Sequence, residues 1–501
     1  MAPSRSSIDG YILTSEPHDV IDPRIEDEEV YQVTENVVQS GKQFSNRFID
    51  GDVEKNFSKT QQSDDEASEK TSGPIYVEFS EGDPRNPMNK SRLSKWITTW
   101  MACTFTILSG FGITPLFTAP LSEELGRRPL FITSMIIFAV MHIMVAEAQN
   151  MSTVIVARVL AGAAGSTGAT VAAGVVADIW APYDRGVPMS IYALTAAGST
   201  GLAPTFAGLI EQNPHLQWRW IQWLHLIVGG VYALAVIIFF QETRAGVILT
   251  REAKKLRRET GNLQYRARVE DENSSLWRLI TISCTRPLYM LSSEPIVMSI
   301  SLWVGVGWGI VYSQLESIGL VFSTLYHFDS AEVGLAFLPL FFGCVIGFIG
   351  NFYQDRLYVR NVDRKGPEAR LYAPMLAAIV LPIGCFIYAW TAIPSVHAWI
   401  APMCGLLVFM TAVFTIYLAS FTYLADCYNI YASSALAAQS LFRNSMATMY
   451  NRLTFHWAST LFGCIAAVLA VVPFMLYRYG PWIRSKSKIA QRLLEAEQMK
   501  K

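Results

Sequence analysis

Arg158 lies in Arg158-Val159-Leu160-Ala161-Gly162-Ala163-Ala164-Gly165-Ser166, within a run, 152–177, that holds no other charge. A guanidinium in so apolar a helix must face protein or water rather than lipid. Its place close to the Asn150 turn also allows it to snorkel outward. A second cluster, Tyr312, Gln314 and Glu316, falls at the end of the run 295–315, within YSQLESIGLVF. Glu316 could bind a cationic substrate or a proton, or sit at the outer interface. Trp308 and Tyr312 are four apart and so share one helix face, suited to a cavity wall. Arg443 lies inside the run 431–449 and needs a partner, while Asp426 closes the run 399–425, where an interfacial place is cheap. Trp303, Trp308, Trp390 and Trp399 read mostly as interface anchors.

None of this is bond-making chemistry. The sequence has no phosphate loop after a strand, no HExxH and no nucleophile elbow. Seven histidines form no ligand cluster, and seven cysteines show no CxxC spacing. The cysteines read as small buried hydrophobes. The expectation is a protein that is not an enzyme and uses no cofactor or metal.

The elements that must position these residues are membrane helices. Only 16% of the 501 residues are charged and 51% are hydrophobic. A soluble chain carries about a quarter charged residues. Residues 1–90 are polar, acidic and Ser-rich, with no signal peptide, and read as a disordered cytosolic tail. Apolar runs follow at 96–120, 129–146, 152–177, 186–210 and 220–240, long enough to cross a bilayer. After a basic segment (241–292) come 295–315, 333–353, 371–392, 399–425, 431–449 and 453–477. The bundles are assigned to 91–240 and 293–478, and 479–501 is a basic cytosolic tail with a short helix from 488 to 501.

Between the first two runs lies the charged hairpin Ala119-Pro120-Leu121-Ser122-Glu123-Glu124-Leu125-Gly126-Arg127-Arg128-Pro129. Drawing each Arg through lipid costs about 2.5–3.5 kcal/mol, so the hairpin belongs in the cytosol. With that choice every strongly basic loop downstream, including Arg356 to Arg370 and the C-terminus, is cytosolic. Upstream the rule fails: Lys90, Arg92 and Lys95 also want the cytosol, on the far side of a single crossing.

The hairpin resembles the cytoplasmic signature loop of the major facilitator superfamily, in the fungal drug/polyamine–proton antiporter form APLSE-x-x-GRRP. Val77-Glu78-Phe79 through Asp83-Pro84-Arg85-Asn86-Pro87-Met88-Asn89 is similar to that family's lead-in, and REAKKLRRETGN and FMLYRYGP also match. The fold implied is an all-α polytopic membrane protein of two pseudo-symmetric bundles, a parallel repeat. The family has twelve helices and this chain eleven apolar runs, with parts of helices one and two and a stretch near residue 447 looking absent.

The resemblance implies roles for further residues. Ser122, Glu123, Gly126, Arg127, Arg128, Asp178 and Arg185 fall in the conformational-switch loops. Arg158 matches the family's R-x-x-x-G arginine, which is associated with proton coupling, and Glu316 its acidic residue at that point. Gly198, Gly201, Pro204 and Gly208 match the antiporter motif incompletely, with Ala203-Pro204 where Gly-Pro is usual; a kinked, Gly-lined helix suits rocking. Trp308, Tyr312, Gln314 and Arg443 are the substrate-cavity candidates.

The implied function is proton-driven efflux of drugs, polyamines or other amphipathic or cationic compounds by alternating access. The implied location is the plasma membrane or the vacuolar membrane. The partners are the lipid bilayer, a small molecule and protons, with no nucleic acid, and the carrier is expected as a monomer. Two alternatives stand beside it: a transport-inactive relic, because half of two helices looks absent, and a membrane ligand sensor without transport.

Overall fold

The computed structural model describes residues 6–8, 11–14, 75–80, 82–108, 122, 125–180, 184–267, 270, 285, 288–394, 396–428 and 455–487. The chain divides into two compact units: residues 1–83 with 248–282, and residues 84–247 with 283–501.

The larger unit is helical. Its first half holds α1 (Arg92–Leu108), α2 (Arg127–Ala146), α3 (Met151–Ile179), α4 (Gly186–Glu211) and α5 (Gln217–Phe239). Helix α6 (Ala245–Thr260) leads out of it. The second half holds α7 (Pro295–Leu325), α8 (Ser330–Leu335), α9 (Leu338–Lys365), α10 (Tyr372–Thr391), α11 (Ile400–Tyr428), α12 (Phe455–Leu469) and α13 (Val471–Arg484). Among the described residues, seven helical segments are long and apolar enough to cross a membrane, and one of them, Ser330–Thr391, encloses both α9 and α10.

Local chemistry sets the boundaries. Asn150 caps α3 by accepting from the Thr153 amide at 2.8 Å. Asp329 and Glu332 form a reciprocal capping box at the start of α8, and Pro295 opens α7, where a missing N–H costs nothing.

Three expectations change. Helix α7 continues to Leu325, beyond the run 295–315, so Glu316 lies inside a helix rather than at its end. Ser, Glu and Gly in 316–319 lower the hydropathy without breaking the helix, because neighbours bury Ser317 and Ile318. Trp303 and Trp308, expected as interface anchors, are 3% and 0% exposed inside α7; Trp390 and Trp399 are exposed close to helix ends. The tail expected to lack structure contributes strands β1 (Ser6–Ile8), β2 (Tyr11–Thr14) and β3 (Ile75–Phe79).

These strands make the smaller unit. They form a sheet in the order β1-β2-β3-β4, with β4 (Tyr265–Arg266) from the central segment pairing parallel to β3. Val77 packs with Ala253 and Leu256 of α6 and with Tyr265 and Ala267. That hydrophobic seal holds β3 against α6. The runs expected at 431–449 and the helix at 488–501 lie outside the described residues, as do residues 109–121 around the apparent gap.

Candidate functional site

At the end of the bundle that carries the basic loops, the hairpin closes on Arg127. Its side chain, 6% exposed, donates through Nε to Asp178 at 3.0 Å and through Nη1 to Ser122 Oγ. Gly126 precedes it with φ of 97°, a left-handed conformation that glycine adopts without strain. The buried carboxylate of Glu242, just past α5, accepts from the amides of Arg127 (2.9 Å), Arg128 (3.2 Å), Thr243 (3.0 Å) and Arg244 (3.0 Å). Those first amides of α2 are the orphan donors of a helix N-terminus, so one acid caps the helix and neutralises its dipole.

Arg128 donates to the Ile237 carbonyl at 2.9 Å, and Arg185 donates to the carbonyls of Ala177 (2.9 Å) and Trp180 (3.2 Å). Burial pulls the Lys90 ammonium below its usual value, opposed by the charge of Glu242, and Lys90 donates to Gln241 at 2.9 Å. Glu123 lies outside the described residues.

The second half repeats the device. Arg370, before α10, donates to Asp426 at the end of α11 (3.0 Å) and to Asp355 of α9 (3.2 Å). Asp426, expected at an interface, is thereby a partner in an ion-pair network. Nearby Arg484, at the end of α13, donates to Glu368 at 2.9 Å.

The halves meet along α4. A Cβ on Gly201 would lie 2.6 Å from the Phe341 backbone nitrogen, and one on Gly208 would strike the Ser330 carbonyl. Gly198 faces the Phe341 ring. The Thr205 hydroxyl donates to the Gly334 carbonyl at 2.8 Å, and the Pro204 carbonyl lies against Gly334. The residues expected to form a hinge are therefore the contact through which the first half touches α8 and α9.

Inside the second half, Trp308 packs against Tyr312 (ring centroids 5.8 Å apart) and Tyr417 (5.3 Å), and Tyr417 continues to Phe421 (4.8 Å) and on to Tyr192 of the first half (6.4 Å from Phe421). Gln314 Oε1 is buried without a hydrogen-bond partner among the described residues. Glu316 and Arg158 are both exposed on their helices, and Arg443 lies outside the described residues. The structure thus brings Trp308, Tyr312 and Gln314 together in α7 and shows no contact between Arg158 and Glu316.

The sequence model of the Major Facilitator Superfamily matches residues 87–449. The chain belongs to the Major Facilitator Superfamily. "Efflux pump atB" of Aspergillus terreus is 34% identical over 440 residues, covering 84% of this chain and 91% of the relative. "Major facilitator superfamily multidrug transporter FLU1" of Candida albicans is 33% identical over 407 residues, 78% of this chain and 67% of the relative. "Ascochitine biosynthesis cluster MFS transporter" of Didymella fabae is 31% identical over 459 residues, 82% and 88% respectively. The human organic anion transporter MFSD10 (TETRAN), a solved structure, aligns at 17% identity with a TM-score of 0.48, over 76% of this chain and 83% of its own.

This facilitator is a multi-pass membrane transporter, of a superfamily that moves solutes rather than transforming them. Sequence reading missed the role of Glu242, although an acid after a long apolar run was a usable signal. It also missed the pairing of His142 with Gln222 (2.9 Å) and its stacking on His225 (5.2 Å between centroids). Residues so far apart in the chain carry no shared motif.

Proposed function

We propose that this facilitator exports small amphipathic or cationic compounds, driven by protons entering in exchange, by alternating access across the plasma membrane. The carrying observation is the pair of Arg–Asp clasps, one in each half, at the same end of a bundle whose halves touch through glycine-sized gaps on α4. Clasps that can close and open while α4 slides on α9 suit two rocking halves. The end carrying the clasps is assigned to the cytosol. Arg158 and Glu316 are assigned to proton coupling, and Trp308, Tyr312, Gln314 and Arg443 to the substrate path. The names of the relatives, an efflux pump and a multidrug transporter among them, support the direction.

The test is transport in proteoliposomes holding the full chain with an imposed pH gradient. Accumulation of a cationic dye that collapses with the gradient supports the proposal, and accumulation indifferent to the gradient rejects proton exchange.

One observation favours a second reading, the transport-inactive relic. The start of α3 is largely open: Met151, Ile155, Val156, Val159 and Leu160 are all exposed, and Ala157 and Ala161 are buried. That is the surface a full second helix would cover. Expressing this chain beside one with the absent segment restored decides between them: efflux from the restored chain alone makes this chain inactive.

A further inference from the structure

His142 on α2 and His225 on α5 stack with ring centroids 5.2 Å apart and an interplanar angle of 2°. His142 is 6% exposed, and the Phe138 ring closes over it edge-on at 4.3 Å. Gln222, 3% exposed, accepts from His142 Nδ1 at 2.9 Å, with Oε1 as the acceptor. His225 Nδ1 donates to the Ile221 carbonyl at 2.8 Å. Both Nδ1 atoms therefore carry their protons, and each Nε2 keeps a basic lone pair with no hydrogen-bond partner among the described residues.

The pair lies toward the end of the bundle opposite the clasps, about one turn before Ala146 and about two turns after Gln217. Arg158 lies about two turns into α3 from this same end, and Arg219 of α5 donates here to the carbonyls of Ala146 (3.1 Å) and Ala148 (3.0 Å). Helix α4 has no charged residue before Glu211 at its end, and α1 carries only Arg92 and Lys95, at its start near the clasps.

We propose that His142 and His225 form a proton-binding site that holds one proton per pair. A proton from water adds to the Nε2 lone pair of either ring and leaves both Nδ1 hydrogen bonds intact, so uptake needs no rearrangement. A second proton would place two cations face to face, which low-dielectric surroundings forbid. Loading the pair adds positive charge between α2 and α5, at the end of the bundle where α3 carries Arg158. The site deepens the proton-coupled reading and rests on it for its purpose, though proton uptake itself is independent of transport.

The test uses the full chain in lipid nanodiscs with 13C-labelled histidine, following imidazole resonances from about pH 8.5 to about pH 5, around the ordinary histidine range. His142→Asn and His225→Asn assign the signals. In the unaltered chain the two should shift together over one broad range and take up about one proton between them. In each single variant the remaining histidine should titrate alone, with its midpoint raised. Arg158→Gln, which removes none of the cluster's hydrogen bonds, should raise the joint midpoint by about half a pH unit or more, as loss of a nearby like charge does.

Two histidines that stay neutral throughout, or titrate independently of each other, overturn the site. If the Asn variants do not fold, Arg158→Gln still decides: no histidine midpoint moving overturns it. Coupled uptake without proton-driven dye accumulation rejects the transport reading and leaves the site standing.

Discussion

Arg127 and Arg370 hold matching stations in the two halves, each donating through Nε at 3.0 Å to an aspartate at the end of a later helix, Asp178 and Asp426. The spacings are 51 and 56 residues, as a parallel repeat demands. What locks each clasp has opposite polarity. In the first half the acid follows the last helix (Glu242) and the loop supplies amides; in the second the loop supplies the acid (Glu368) and the last helix supplies Arg484.

The clasps differ in burial, which ranks their cost. The side chains of Arg127 and Asp178 are 6% and 13% exposed, against 12% and 28% for Arg370 and Asp426. Asp178→Ala strands a buried guanidinium and should cost about 3–5 kcal/mol, the range for a broken buried pair. Asp426→Ala should cost less, because Asp355 still pairs Arg370. Thermal unfolding of the two variants in detergent checks the order, and equal losses would reject it.

Gly201 should tolerate no side chain. Its Cβ would meet backbone, which cannot swing aside, so Gly201→Ala must separate α4 from α9. Overpacking of this kind costs about 1–3 kcal/mol. Dye accumulation should fall at least about tenfold, since misplacement of that contact breaks the sliding surface. Gly162→Ala, with open space around it, is the control and should keep full activity.

Glu294 should make stability depend on pH. It sits before α7, 4% exposed, accepting from Ser487 Oγ at 2.9 Å and from Tyr428 OH at 3.1 Å. Burial raises its carboxyl above the usual 4.5, against the pull of both hydrogen bonds. A raised acid binds its proton more readily when folded. Its contribution to stability is fully present below the unfolded value and is lost as pH rises through the folded one. Glu294→Gln should flatten the fall in Tm above about pH 4.5; an unchanged slope counts against this account.

Val77→Asp should open the smaller unit alone. The carboxylate would enter the seal formed by Ala253, Leu256, Tyr265 and Ala267, and an unpaired buried charge is not tolerated there. Trypsin should then cut after Arg251, Lys254, Lys255 or Arg258 several times faster, while the Tm of the helical unit stays the same. A lowered Tm would show that the units unfold together.

Composition alone determined that this chain crosses a membrane, because charge-free runs of bilayer length leave few alternatives. The hairpin Gly126-Arg127-Arg128-Pro129 determined the family, since its residues are neighbours in the chain and need no fold to be read. The tertiary structure alone decided the rest. The second clasp draws on residues 355, 370 and 426, whose surroundings show no matching motif. Polar residues within 316–319 hid the true length of α7, which packing sustains. Val77 gains its apolar partners only when α6 and β4 pack on β3. His142 and His225 look ordinary until α2 and α5 lie side by side. Local chemistry writes itself into adjacent residues, whereas ion pairs, stacking and burial join positions that only packing makes neighbours.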